Sequence, residues 1–219
     1  MQRSVQVHPL SCGIPLLLAE NHDVAVATAD VWAHTGGADE PDDLAGISHF
    51  LEHMLFKGTE RWGLGQIERA IEAVGGVSNA GTSFDFTHYH VTLPAFAIAR
   101  GIEMLAGMMR EATLDAAELE KERLVILEEY RRKQDNPVGL LYERLYTEMF
   151  ESGRYHRPVI GTEQTIRAID RPRILDYYRK RYAPRSLALV VTGHVDPQAI
   201  IRIADEAFAG FDRPLATFQ

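Results

Sequence analysis

Residues 44–59 read LAGISHFLEHMLFKGT, an apolar run that holds two histidines and a glutamate within five residues. Leu44, Ile47, Leu51, Met54 and Leu55 recur at helical spacing, with Phe50 at the edge of that stripe and Gly58 as a stop. The pattern predicts a helix with one apolar face. His49 and His53, four residues apart, project from its other side one turn from each other, and Glu52 and Phe56 share that flank. Three titratable groups next to a core are costly unless something pairs with them.

A metal ion is the natural partner. Zn²⁺ takes neutral imidazoles, and catalytic zinc sites use three protein ligands and keep one position open. The two histidines supply two ligands, and Glu52 is placed beside them to act on water. The order His-x-x-Glu-His inverts the HExxH helix of zinc peptidases and is that of inverzincins. The plainer alternative is a histidine pair satisfied by neighbouring carbonyls. A third ligand must come from another element. ELEKERLVILEEYRR, residues 118–132, offers Glu118, Glu120, Glu122, Glu128 and Glu129. Glu122 and Glu129, seven apart, share a helix face, but spacing alone does not choose among the five, and charged helices are usually solvated surface.

Around this helix the chain reads as strands first and helices later. SVQVHP, PLLLAE and VAVATADVWAHTGG are strand-like, with turn signals at CGIP and ENHD. GQIERAIEAVGG predicts a second short helix. VSNAGTSFDFTHYHVTLP alternates and predicts a strand or hairpin with Gly81 as the bend. AFAIARGIEMLAGMMREA begins a mostly helical region. There Asp115 and Glu118 form a capping-box-like start, with Leu114 and Leu119 as its staple. ALVVTG, 188–193, reads as a buried strand, and Asp196–Pro197 opens a last helix. Grouped strands and grouped helices argue an α+β fold rather than a regular βαβ winding. Residues 1–210 are expected to form one domain, and 211–219 a linker or tail toward a further domain.

Composition removes some functions. A net charge of −8 disfavours a general nucleic-acid binder, because phosphate contacts need clustered Lys and Arg. Cys12 is the single cysteine, so neither an internal disulfide nor a CxxC zinc site can form; a small buried apolar residue is the expected role. The N-terminus resembles neither a signal peptide nor a membrane span, so a soluble, cytoplasmic setting without membrane contact is expected.

Taken together, these segments resemble the pitrilysin-type, inverted-motif zinc peptidases that include mitochondrial processing peptidase. DEPDDLAGISHFLEHMLFKGT is similar to that family's active-site helix, GGVSNAGTSFDFTHYHVTLP to its GG-x-x-NA-x-TS-x-D-x-T-x-Y segment, and ERLVILEEYRRKQDNP to its third-ligand helix. RPVIGTEQTIRAIDRPRILDYYRKRYAPRSLALVVTGHVDP resembles its late helix–strand region, so the likeness runs through essentially the whole chain in the family's order. His194 stands where many relatives carry Asp, far from the motif, and reads as a surface change.

The resemblance implies a two-layer α/β sandwich whose mixed, mostly antiparallel sheet is covered by helices. It implies His49, His53 and Glu129 as Zn²⁺ ligands, with 75 residues between the last histidine and that glutamate, and Glu52 as general base. Glu122 would be a carboxylate close to a ligand histidine, and Asn79 and Ala80 would lie on an edge strand holding the substrate backbone. Tyr89 would reach the cleft. The expected activity is that of a metalloendopeptidase acting on extended peptides. A second homologous domain or subunit, which in the family closes the chamber and supplies an Arg–Tyr pair, would be its partner. The rival readings are a non-catalytic zinc-binding or substrate-binding subunit of a peptidase complex and a metal-free binding domain. His88 and His90, two apart on one strand face, are explained most simply as polar alternation on a half-exposed strand rather than as a second metal site.

Overall fold

Alternation along the strands decides the architecture. In the computed structural model, which describes residues 4–150 and 152–215, β3 (Val26–Ala33) buries Ala27, Ala29, Val31 and Ala33 while Thr28, Asp30 and Trp32 face the other way. β5 (Thr87–Pro94) does the same with Thr87, Tyr89, Val91 and Leu93, and β6 (Leu187–Gly193) with Leu187, Leu189 and Val191. With β1 (Gln6–Pro9), β2 (Pro15–Glu20) and β4 (Val77–Thr82) these form a six-stranded sheet in the order β1-β2-β6-β3-β5-β4. Every neighbouring pair is antiparallel except β2–β6. The expected mixed, mostly antiparallel two-layer fold is present. The last strand in sequence, β6, lies in the middle of the sheet between β2 and β3.

The helices are α1 (Ile47–Leu55), α2 (Gln66–Glu72), α3 (Ile98–Glu111), α4 (Ala116–Gln134), α5 (Pro137–Met149), α6 (Glu163–Ala168), α7 (Arg171–Arg181) and α8 (Pro197–Ala207). α3 packs on β3 and β5, α8 lies beside α3, and α1 is wedged among β4, α4 and α7. Ile47, Phe50, Leu51, Met54 and Leu55 of α1 are all fully buried. Each such side chain contributes on the order of 1.5–3 kcal/mol of transfer free energy. The whole core forms one cluster. Among the described residues no helix is long and apolar enough to cross a membrane.

Several details differ from the expectations. Leu44 belongs to a short 3₁₀ turn before α1 and is only half-buried, whereas Phe50 sits inside the core rather than at the stripe's edge. The β4–β5 hairpin turns over residues 83–86, and Gly81 stays within β4, opposite His88. Asp115 caps α4 by accepting from the N–H groups of Ala117 and Glu118, but the Glu118 carboxylate pairs with Lys121 instead of returning to the cap. Cys12 is half-buried against the core. Within the stretch 211–219, Phe211 is buried and Arg213 donates to the carbonyls of Tyr182 and Arg110, so its first residues pack on the domain; 216–219 lie outside the described residues.

Candidate metal centre

The helix α1 begins at Gly46, whose φ of 93° is left-handed and whose α-carbon faces the Ile160 carbonyl so closely that a β-carbon would lie 2.4 Å from it. Its first turn is anchored by Glu40, which accepts from the N–H groups of Gly46 and Ser48, both at 2.7 Å. A carboxylate on these unpaired donors suits the positive end of a helix. Burial pushes the Glu40 carboxyl up to about 7, against the pull of those two hydrogen bonds and of Arg157. With its start fixed and its apolar face in the core, α1 has little freedom to rotate, so His49, Glu52 and His53 must face outward together.

Helix α4 crosses over that flank and presents Glu122 and Glu129 from one face. His49 Nε2 lies 3.6 Å from Glu129 Oε1, and His53 Nε2 lies 3.5 Å from Glu129 Oε2. His53 Nδ1 is hydrogen-bonded to Glu122 Oε1 at 2.9 Å, and Lys57 Nζ pairs with Glu122 Oε2 at 2.8 Å. Glu122 thereby claims one nitrogen of His53 and leaves Nε2 for the gap shared with His49 and Glu129. The five glutamates that spacing left undecided are now separated: Glu118, Glu120 and Glu128 pair with Lys121, Arg123 and Arg131 of their own helix.

Charge follows the same geometry. His49 and then His53 hold the Glu129 carboxyl well below the usual carboxylate range. Burial disfavours a charged His53, yet the Glu122 bond, Glu129, and the charges of Glu52 and Glu122 outweigh it and push the imidazole up to about 9. His49 Nδ1 is buried with no hydrogen-bond partner among the described residues.

This donor set fits zinc. Bonds of about 2.0–2.1 Å at tetrahedral angles put ligand atoms about 3.3 Å apart, close to the spacing observed here. One carboxylate and two imidazoles, His49, His53 and Glu129, form a compact trio whose donor atoms all lie within 4.8 Å of one another. Glu52 is outside the trio but on the same wall, and its Oε2 accepts a 2.5 Å hydrogen bond from Thr82 Oγ1. The cleft, about 460 Å³, is lined by these groups together with Phe56, Glu68, Ser78, Asn79 and Ala80.

The family described as insulinase, peptidase family M16, matches residues 16–163. The chain belongs to family M16. An uncharacterized zinc protease of Streptomyces coelicolor is 34% identical over 90% of this M16 chain and 43% of its own length. The zinc protease YmxG of Bacillus subtilis is 29% identical over 91% of this chain and 49% of its own. The M16 chain thus spans about half the length of the curated relatives it matches. A protease from Helicobacter pylori has the same fold, with a TM-score of 0.93 and 27% identity over 99% of this chain and 52% of that one. An M16 inactive domain from Pseudomonas fluorescens, 17% identical with a TM-score of 0.88, shares the fold.

Asn79 and Ala80 lie where expected, on β4 at the free edge of the sheet and on the cleft wall. The Ala80 N–H donates to the Asn79 side chain at 2.9 Å. Tyr89 does not reach the cleft: it is fully buried, with its hydroxyl 2.7 Å from that of Tyr182. Thr82 and Lys57 were not singled out by sequence reasoning. Each had a partial signal: Lys57 comes four residues after His53, just past the end of α1, and Thr82 is the threonine of the family-like TS pair, but neither position reveals its partner, which for Thr82 is 30 residues away. A larger cleft of about 660 Å³ lies elsewhere, lined by Asp39, Glu40, Arg154 and Arg181 among others. Arg154 and Arg181 both pair with Asp39 there, and no trio of metal donors faces it among the described residues.

Proposed function

We propose that this domain is the catalytic half of a zinc-dependent endopeptidase acting on extended peptides or unfolded protein segments. In this reading His49, His53 and Glu129 bind Zn²⁺ and Glu52 is the general base. The observation that carries it is the position of Glu52, a carboxylate beside two imidazole donors and facing the cleft that the sheet edge also lines.

When bound, zinc supplies Lewis-acid polarisation of a carbonyl and acidifies water toward neutral pH. Glu52 takes a proton from the attacking water and hands it to the leaving amine, help worth about 10²–10⁴-fold. Thr82 holds one oxygen of Glu52 and leaves the other for the proton. Glu122 keeps the proton of His53 on Nδ1, and His53 together with Lys57 holds the Glu122 carboxyl below its usual range against its burial. An extended peptide adds to the free edge of β4, displacing the Asn79 amide from the Ala80 N–H. Such backbone pairing reads chain extension more than side chains.

A second homologous half, in the same chain or another subunit, completes the enzyme. The relatives' double length supports this, and so does α5. Val138, Leu141, Tyr142, Leu145, Tyr146 and Met149 recur at helical spacing along it and are all exposed. The test compares peptide turnover by the zinc-loaded chain alone, by the chain with a complementary half, and by Glu52→Gln in that assembly. Turnover is expected in the second case, little or none in the first, and none in the third. Zinc retained without turnover in any pairing would make the domain a non-catalytic subunit, and absence of zinc would leave a metal-free binding domain.

A further inference from the structure

We infer that the outer face of the sheet carries a second, separate site for a divalent first-row transition ion, held by Asp30, His88 and His90. The sequence offered only the two histidines. The register of β3 against β5 adds the third donor, because Asp30 is paired with His90 and Trp32 with His88. One ligand atom from each of Asp30, His88 and His90 lies within 4.8 Å of the others. His88 Nδ1 is already 3.3 Å from Asp30 Oδ1, about the separation of two ligands on one tetrahedral ion.

The surroundings favour an ion over a plain polar strand face. The His88 and His90 rings stand side by side on the same face of β5, stacked nearly parallel, 13° apart with centroids 5.6 Å from each other. His90 makes no side-chain hydrogen bond among the described residues, so its nitrogens are uncommitted to protein. Trp32 also stacks on His88, with ring centroids 4.8 Å apart, giving it an apolar wall. On β4, Gly81 lies opposite His88, and a β-carbon there would come within 3.2 Å of His88 Nε2. A glycine at that point leaves the imidazole room to turn toward an ion. All three ligands stand on rigid, paired strands and are partly buried, and two imidazoles with one carboxylate suit Zn²⁺, Co²⁺ or Ni²⁺ better than a hard ion.

This inference does not rest on the peptidase reading, since none of Asp30, His88 and His90 lines the α1 cleft. The test titrates the metal-free chain with Co²⁺, counting bound ions by calorimetry and following their visible absorption. Wild type should take two ions, and His49→Ala/His53→Ala should still take one. Adding His88→Ala and His90→Ala to that variant should abolish the remaining ion. Asp30→Asn, a near-isosteric change that leaves both histidines in place, should weaken it about tenfold or more, and it serves as the deciding variant should the double histidine change unfold the chain. No Co²⁺ on the His49→Ala/His53→Ala chain, or binding there that is indifferent to Asp30→Asn, would overturn the proposal.

Discussion

The α1–α4 cluster and the β3–β5 cluster are built from the same parts, two histidines from one element and a carboxylate from a neighbour, yet they differ in what surrounds them. Behind His53 stands Glu122, itself held by Lys57, and beside the α1 trio stands Glu52, held by Thr82. The outer trio has a tryptophan wall and no further carboxylate at hydrogen-bond distance among the described residues. Ligands alone hold an ion; a positioned base and supported ligands are what turn an ion site toward chemistry. On the proposed reading, catalysis belongs to the first cluster and only retention of an ion to the second.

The largest effect expected is from Glu52→Gln, which should leave both ion sites filled while peptide turnover in the assembled enzyme falls by about 10²–10⁴-fold, because an amide takes no proton at neutral pH. Loss of the α1-site metal in that variant would make Glu52 a ligand and remove the contrast between the clusters.

Next in size is Glu40, which anchors α1 and has no counterpart at the strand-borne cluster. Its folded-state pKa, raised from 4.5 to about 7, is the higher of the two, so its stabilisation is full below about pH 4.5 and is lost as pH rises through about 7. Over that window the stability advantage of wild type over Glu40→Gln should shrink by a few kcal/mol, since each tenfold change in proton affinity is worth on the order of 1.4 kcal/mol. Urea midpoints at several pH values measure it, and parallel profiles for the two proteins would show that Glu40 is not the titrating group.

Glu122→Gln should cost about 10–100-fold in zinc affinity at the α1 site or in turnover, and leave the outer site unchanged. An equal loss at both sites would point to general destabilisation rather than to the His53 contact. The smallest effect expected is from Asn79→Ala, which removes one neutral hydrogen-bonding group from the edge strand: a rise of about 2–10-fold in KM for an extended peptide with kcat nearly unchanged. A fall in kcat instead would place Asn79 in the chemistry.

What could be read from the chain and what could not follows from the range of each interaction. The helix carrying His49 and His53, the cap at Asp115, the start at Asp196–Pro197 and the central strand ALVVTG depend on neighbours a few residues away, and all are present. The inner position of β6 in the sheet, the Thr82–Glu52 bond and the burial of Tyr89 against Tyr182 depend on partners from 30 to 173 residues distant, which no local period reports. At the candidate metal centre the histidine pair was legible from i, i+4 spacing. The choice of Glu129 among five glutamates needed either the family resemblance or the crossing of α4 over α1. The same limit concealed Asp30, whose link to His88 and His90 exists only through strand register.

The most direct test of the central claim uses two adjacent glutamates that composition cannot tell apart. Glu129 faces His49 and His53, whereas Glu128 pairs with Arg131 on the exposed side of α4. Zinc affinity, measured by competition with a chelator in the His88→Ala/His90→Ala background, should be unchanged by Glu128→Gln and weakened at least about 100-fold by Glu129→Gln. Equal affinities for the two variants would contradict the assignment of the α1–α4 cluster as the metal centre.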